Sequence, residues 1–175
     1  TGKSNDDTLN LYAYKQQQLS QLMKNPGTGT RGKIGIPMVL NMYELLPFWH
    51  AFFTNLGFQV IVSPFSNRKL YQAGQGSIPS DTVCFPAKLT HGHIMALLKK
   101  DVDAIFYPCM SYNVDEGLGD NHYNCPVVAY YPEVLAGNIR ELEDTKFIYE
   151  YLNLEQRKDF VRLMPKIMQK YYPDL

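Results

Sequence analysis

Strand-like and helix-like segments alternate along this chain, and that alternation constrains its fold more than any other feature. Short apolar runs predict strands over Lys33–Val39, Phe58–Ser63 and Val102–Tyr107. Apolar residues recur at helical spacing between these runs, which predicts helices over 44–57 and 86–100. Sequences that alternate in this way usually form a mainly parallel sheet covered by helices.

The second half of the chain extends the same pattern. We predict a fourth strand over Val127–Tyr131 and a fifth over Lys146–Tyr149. A final helix is predicted to run from a cap at Asn153 to Tyr171. The expected fold class is therefore α/β, with a mainly parallel, Rossmann-like sheet of four to five strands and helices on both faces.

A different kind of segment precedes the first strand. A short helix is predicted over Leu9–Met23, and residues 25–32 form a linker rich in glycine and proline. We therefore divide the chain into an N-terminal helix with its linker (1–32) and a single α/β domain (33–175). Because the chain begins at Thr1, we expect it to be a piece of a longer protein.

Composition excludes several classes of protein. Hydrophobic residues make up 45% of the chain and charged residues only 19%, which excludes an intrinsically disordered chain. The 17 basic and 17 acidic side chains cancel, so we expect no general binding to nucleic acid, which requires excess positive charge. No uncharged apolar stretch reaches the roughly 20 residues that a membrane-spanning helix needs.

Phosphate-binding signatures are also absent from the sequence. It contains neither G-x-G-x-x-G nor G-x-x-x-x-G-K-[ST]. The glycine-rich segment Gly27–Gly32 precedes the first predicted strand, whereas a phosphate loop follows a strand, so we interpret it as a linker. We therefore expect no ATPase activity in this chain.

Three cysteines are the most informative candidates for chemistry. Cys84, Cys109 and Cys125 are an odd count, which argues against a disulfide framework and favours a reducing, cytoplasmic location. Each lies beside a proline at the edge of a predicted element, and open α/β sheets bind ligands beyond the carboxyl ends of their strands. We expect the three thiols to approach one another. The alternative is that each is a small buried apolar residue.

Polar residues near the cysteines supply further candidates. Lys88 lies in the first turn of the helix after Cys84, where a cation opposes the helix dipole and suits an anionic ligand. His91 and His93 are two residues apart on a helix, so they cannot both face one ion. The candidates for a fourth ligand or for supporting positions are Lys88, His91, Tyr107, Ser111, Tyr112, Asn121 and His122. All except His91 are expected to line one cleft at the strand ends.

Three blocks of the sequence resemble one known family. They are Lys33–Pro37 with Asn41–Glu44 and Pro47–Trp49, Ile78–Ser80 with Val83–Lys88 and His91–His93, and Phe106–Cys109 with Asn121–Pro126. The family is the uncharacterised domain of acyl-CoA dehydratase activase-related proteins. These are large relatives of the ATP-dependent activators of 2-hydroxyacyl-CoA dehydratases. The resemblance covers about residues 31–138.

This resemblance implies a redox function in anaerobic metabolism. In such proteins the domain accompanies actin-like ATPase domains and a dehydratase-like region, with an acyl-CoA as the candidate substrate. Dehydratase-like subunits hold a [4Fe–4S] or related iron–sulfur cluster through three cysteines. By analogy, Cys84, Cys109 and Cys125 would be the ligands here. A cluster held in this way is expected to be lost from an aerobic preparation.

The leading hypothesis is therefore an iron–sulfur redox module that accepts or relays low-potential electrons. One alternative is a non-catalytic docking domain between ATPase and acceptor modules. It predicts an exposed apolar patch around Tyr149, Tyr151, Tyr171 and Tyr172. Another is a structural zinc domain in which His122 adds a fourth ligand to the three cysteines. Whether the chain is itself an enzyme stays open at this point.

Overall fold

The computed structural model describes residues 9–175, so the first eight residues of the predicted N-terminal segment lie outside the description. Helices and strands alternate along the described chain, as the sequence predicts. Their order is α1 (Leu11–Lys24), β1 (Lys33–Ile36), α2 (Asn41–Asn55), β2 (Gln59–Val62), α3 (Arg68–Gly74), α4 (Phe85–Leu98), β3 (Ala104–Phe106), α5 (Pro126–Asn138), β4 (Lys146–Ile148) and α6 (Arg157–Tyr171). Short 3-10 turns follow α3 at Gln75–Ser77 and α5 at Arg140–Leu142.

The strands form one parallel sheet in the order β2-β1-β3-β4. Ile34 pairs with Val60 on one side and with Ala104 on the other, and Ile105 pairs with Phe147 at the far edge. The first strand, β1, therefore lies inside the sheet. The chain adds β2 on one side of it and then β3 and β4 on the other, so the direction in which strands are added reverses at β1. The predicted α/β class with a mainly parallel sheet is confirmed.

Aromatic packing joins α2 to one face of the sheet. The Trp49 and Phe53 rings lie 4.6 and 4.9 Å from the ring of Phe106 on β3. Phe160 of α6 packs in turn against Phe52, with ring centroids 6.0 Å apart. These rings are mostly edge to face, the arrangement that aromatic quadrupoles favour. Helices α2 and α6 therefore cover the same face.

The opposite face is covered by α4 and α5. Gly35 has no side chain, and Leu97 of α4 occupies the space above it, close to Ile105 of β3. A hydrogen bond between His91 and Tyr131 joins α4 to α5 on this face. Because α4 leads into β3 and α5 leads into β4, both helices run antiparallel to the strands. Their N-termini therefore lie at the carboxyl edge of the sheet.

The predicted fourth strand over Val127–Tyr131 is wrong, because these residues form the first half of α5. Cys125 is the N-cap of this helix and Pro126 its first residue, a position where the missing N–H costs nothing. A short run of valine and tyrosine suits a buried helix as well as a strand, and only packing separates the two. The fifth predicted strand, over Lys146–Tyr149, is accordingly β4.

Two helix starts also differ from the prediction. Helix α2 begins at Asn41, so Pro47 lies inside it and not in its first turn. The helix tolerates Pro47 at the loss of one backbone hydrogen bond. Helix α6 begins after Gln156, whereas Asn153 serves the preceding loop and does not cap the helix.

The N-terminal helix and linker contact the sheet domain. Leu19 of α1 is buried in the core, and the carbonyl oxygens of Pro26 and Gly32 accept hydrogen bonds from Val60 and Gln59. The glycine-rich linker thus lies along the start of β2, at the edge opposite the cysteines. The division at residue 32 stays a prediction. None of the described helices is long and apolar enough to cross a membrane.

Candidate functional site at the carboxyl edge of the sheet

Cys109 follows β3 and is held by the backbone of the segment that follows the edge strand β4. Its N–H donates to the carbonyl of Glu150 (3.1 Å), and its carbonyl accepts from the N–H of Leu152 (2.9 Å). The residue has no exposed surface. Burial, and after it the negative charge of Glu133, raises the pKa of its thiol to about 11. Cys109 is therefore a fixed, protonated thiol at neutral pH.

Cys84 and Cys125 occupy equivalent positions at the starts of α4 and α5. Each is the N-cap of its helix, and each is exposed. Neither side chain caps its helix by a hydrogen bond, and neither first turn contains an acidic residue. The free N–H groups of both helix ends therefore present positive potential beside an exposed cysteine.

The long loop 110–124 folds back and brings Cys125 towards Cys109. The Asn124 side-chain amide donates to the carbonyl of Met110 (2.9 Å), and its backbone N–H donates to the carbonyl of Ser111 (2.9 Å). Asn124 precedes Cys125 and Met110 follows Cys109, so these bonds link the peptides next to both cysteines. The loop thus returns to the sheet edge that carries Cys109, as the predicted three-cysteine site requires.

Two buried tyrosine hydroxyls lie among the cysteines. Tyr107, at the end of β3, has no exposed surface, and its hydroxyl has no hydrogen-bond partner. Burial, and then the charges of Cys109, Tyr131 and Cys125, raise the pKa of Tyr107. Burial and then the charge of Cys84 raise the pKa of Tyr131. The Tyr107 hydroxyl is thus within electrostatic reach of Cys109 and Cys125, and the Tyr131 hydroxyl within reach of Cys84.

His91 belongs to a hydrogen-bonded chain that ends at Tyr131. Its Nδ1 lies 2.8 Å from Ser77 Oγ and its Nε2 lies 3.0 Å from the Tyr131 hydroxyl. Ser77 donates its own hydrogen to the carbonyl of Gly74 (3.0 Å), so it accepts from Nδ1–H. Nε2 then carries the lone pair and accepts the hydrogen of Tyr131. The Tyr131 oxygen is left as an acceptor on the side of the cysteines.

His93 faces a different environment, as the helical spacing predicts. Its ring nitrogens lie 2.6 Å from Ser63 Oγ and 2.9 Å from Ser66 Oγ. Burial lowers the pKa of both His91 and His93 to about 4, so both rings are neutral at physiological pH. With both nitrogens of each ring in use, neither histidine offers a free lone pair to a metal.

The other predicted residues do not gather in one cleft. The Lys88 ammonium donates to the carbonyl of Asp81 (2.7 Å), in the loop before α4. Asn121 and His122 line a cavity of about 240 Å³ that the long loop forms with its own residues. His122 there faces Asp115 at 3.5 Å. The prediction that these residues line a single cleft around the cysteines is therefore wrong.

The remaining two predicted residues support the loop. The backbone N–H groups of Ser111 and Tyr112 both donate to Asn153 Oδ1, each at 3.0 Å. The Tyr112 hydroxyl donates to that of Tyr123 (2.6 Å) across the loop. Ser111 and Tyr112 therefore hold the segment that carries Cys125, and they contribute to the site through its geometry.

The described conformation does not assemble a metal centre. Within residues 9–175, no three Cys, His, Asp or Glu side chains are grouped so that they could hold one ion. All three cysteines are free thiols. The ligand set Cys84, Cys109 and Cys125 therefore stays a prediction, now with all three residues placed at one edge of the sheet.

Sequence reasoning missed Tyr131 and Ser77. Tyr131 was assigned to a strand, where it had no reason to point at a cysteine. Once α5 is a helix that starts at Cys125, Tyr131 lies in its second turn on the face towards α4. The N-cap pattern of Cys125-Pro126 is the signal that could have revealed it.

The fold and the site together define a class of protein. It is a doubly wound, parallel α/β domain with three cysteines at the carboxyl edge of its sheet and no phosphate loop. The chain belongs to the family described as the CoA enzyme activase uncharacterised domain, which it matches over residues 33–174. This match confirms the resemblance that the sequence blocks indicated. No curated protein and no solved structure matches the chain.

Proposed function

We propose that this domain is the iron–sulfur cluster-carrying redox module of an ATP-driven 2-hydroxyacyl-CoA dehydratase/activase-related system. In this role it accepts or relays low-potential electrons. The observation that carries the proposal is the common location of Cys84, Cys109 and Cys125, two at helix N-termini and one directly after the central strand β3. Membership of the activase-related family supports ATPase-type modules as its partners.

The donor chemistry of the site fits such a cluster. Thiolates are the ligands that iron–sulfur clusters take, and the free N–H groups at the starts of α4 and α5 stabilise the negative charge of a thiolate-ligated cluster. The unpaired hydroxyl of Tyr107 offers a hydrogen bond to such a group. Burial of Cys109 opposes its ionisation, so binding must release a proton from this thiol.

Binding also requires the thiols to come closer together than they are. Cys109 is fixed by its pairing with the segment that follows the edge strand, whereas Cys84 and Cys125 are exposed at helix ends. We therefore expect Cys84 and Cys125 to move towards Cys109 when a cluster binds. The loop 110–124 limits the movement of Cys125. Asn124, the residue before Cys125, is held by its hydrogen bonds to the carbonyl oxygens of Met110 and Ser111.

Each part of the chain has a distinct task in this proposal. A bound cluster would supply one-electron chemistry, with the activator module as the donor and the acceptor module as the recipient. The three cysteines would hold the cluster, and the buried side chains of Tyr107 and Tyr131 would exclude water from the protein beside it. ATP hydrolysis belongs to another module, since this chain has no phosphate loop.

Metal analysis of an anaerobic preparation tests the proposal. The domain is purified and reconstituted with iron and sulfide without oxygen, and iron, sulfide and zinc are counted per chain. We expect iron and sulfide together, and their loss in each of Cys84→Ser, Cys109→Ser and Cys125→Ser. Thr82→Ala, in the exposed loop before Cys84, is the matched control and should keep the cluster.

Cys109 needs a second variant because it is fully buried. A serine hydroxyl there would be desolvated and could unfold the chain for reasons unrelated to metal, so Cys109→Ala is made as well. Undiminished iron in either folded Cys109 variant contradicts the three-cysteine site. Zinc without sulfide would support the structural zinc domain. A metal-free anaerobic protein with reduced thiols would support the docking domain.

A further inference from the structure

The aromatic ring of Tyr107 packs in the core, but its hydroxyl group makes no contact that would stabilise the fold. The residue has no exposed surface, and its hydroxyl finds no hydrogen-bond partner among the described residues. A buried hydroxyl without a partner destabilises a folded chain, because it loses its hydrogen bonds to water and gains none. Phenylalanine would fill nearly the same volume without that cost, as it does at the neighbouring position 106. Contacts within the described chain therefore do not explain why this position carries a hydroxyl group.

The surroundings of this hydroxyl contain groups suited to a ligand. Tyr107 lies at the end of β3, two residues before Cys109. Its pKa is raised by Cys109, Tyr131 and Cys125 as well as by burial, which agrees with this position. Tyr131 already gives its hydrogen to His91, so its oxygen faces this space as an acceptor. Tyr107 thus keeps an uncommitted O–H donor, and it borders the cysteine site.

A second tyrosine shows that an unpaired hydroxyl alone does not indicate a site. Tyr172 also has a buried hydroxyl without a partner. It lies at the other end of the strands, where its pKa responds to Asp103, the residue just before β3. No cysteine is present there. Tyr107 differs because its unpaired donor lies beside two of the three cysteines, Cys109 and Cys125.

We infer that the Tyr107 hydroxyl donates a hydrogen bond to a sulfur of the group that Cys84, Cys109 and Cys125 hold. The inference rests on the proposed function and adds to it a residue that adjusts the properties of the cluster. Hydrogen bonds to the sulfurs raise the reduction potential of an iron–sulfur cluster, because they stabilise the additional negative charge of the reduced form. Tyr107 therefore makes the cluster easier to reduce and holds it more firmly.

Two matched substitutions test this inference. Tyr107→Phe and Tyr172→Phe each remove one buried, unpaired hydroxyl, and only the first lies at the cysteine site. In the metal-free protein both should fold and be as stable as the parent chain or more so, as measured by urea unfolding. In the reconstituted protein, only Tyr107→Phe should lower the midpoint potential and shift the iron–sulfur stretching frequencies in the resonance Raman spectrum. Iron release to a chelator should be about fivefold faster in that variant.

Each outcome bears on a different statement. If the parent chain binds no iron and sulfide, the proposed function and this inference both fail. If the parent chain binds a cluster and Tyr107→Phe has the same potential, frequencies and release rate, the inference alone is wrong. Equal changes in Tyr172→Phe would assign the effect to the fold and would also overturn it. So would a metal-free Tyr107→Phe chain that does not fold, since the hydroxyl would then have a structural role.

Discussion

The contact between α3 and α4 depends on a glycine whose substitution has a calculable effect. A Cβ added at Gly92 would lie 2.0 Å from the carbonyl oxygen of Leu70 and 2.7 Å from its carbonyl carbon. Gly74 faces the same contact, where an added Cβ would lie 2.2 Å from the backbone nitrogen of Gly92. Because these neighbours are backbone atoms, no side-chain rotation can relieve the clash, and one helix must move.

The magnitude of Gly92→Ala follows from two opposing terms. Alanine favours a helix interior over glycine by about 1 kcal/mol. Overpacking costs about 1–3 kcal/mol when side chains can adjust, and a backbone clash belongs at or above the upper end. We therefore expect a net loss of about 2 kcal/mol or more in the free energy of unfolding. For a chain of this size that lowers the melting temperature by roughly 4–8 °C.

Urea unfolding, followed by circular dichroism and by the fluorescence of the single buried Trp49, measures this loss. Gly137→Ala is the matched control, because this glycine also lies in a helix but has no heavy atom within 4 Å of an added Cβ. It should be neutral or stabilising by up to about 1 kcal/mol. A Gly92→Ala protein as stable as the parent, or equal losses in both variants, would refute the close contact of α3 and α4.

Two further predictions concern the buried histidines and the support of the long loop. His91 and His93 have folded-state pKa values near 4, below the unfolded value of 6.5, so the unfolded chain binds protons first as the pH falls. The free energy of unfolding should be constant between about pH 7 and 8 and decrease between pH 6.5 and 4, by roughly 3 kcal/mol per histidine. Urea unfolding that is independent of pH between 6.5 and 4 would contradict this prediction. Asn153→Ala removes the acceptor of the Ser111 and Tyr112 N–H groups and should cost about 1–3 kcal/mol and speed their hydrogen exchange. Asn153→Asp keeps the acceptor and should protect both amides, and equal exchange in the two variants would argue against this role.

The sequence by itself determined the fold class. The apolar runs of β1, β2 and β3 and the helical spacing of α2 and α4 are local patterns, and each was assigned within a few residues of its observed bounds. The alternation of these elements is enough to specify a parallel sheet with helices on both faces, because short connections permit few other arrangements. The positions of Cys109 after a strand and of Cys84 before a helix follow from the same reasoning.

Tertiary structure decided the identity of α5, for which the only local signal was Cys125-Pro126 at its start. Residues 127–131 are apolar and too few to show a helical or a strand period, so their local preference does not separate the two states. Packing against α4 and the start at Cys125-Pro126 make them a helix. That outcome also decided the site, since it moved Cys125 from the start of a strand to a helix N-terminus and turned Tyr131 towards His91.

The polar contacts of the site were likewise beyond the sequence. Ser77, His91 and Tyr131 are separated by 14 and 40 residues. Their hydrogen bonds exist only because the α3 segment and α5 both pack against α4. The same holds for the unpaired hydroxyl of Tyr107, which is defined by what surrounds it. Local patterns determine which segments become helices and strands, because those preferences are encoded by neighbouring residues. Which side chains meet at the carboxyl edge depends on long-range packing, and no local pattern contains it.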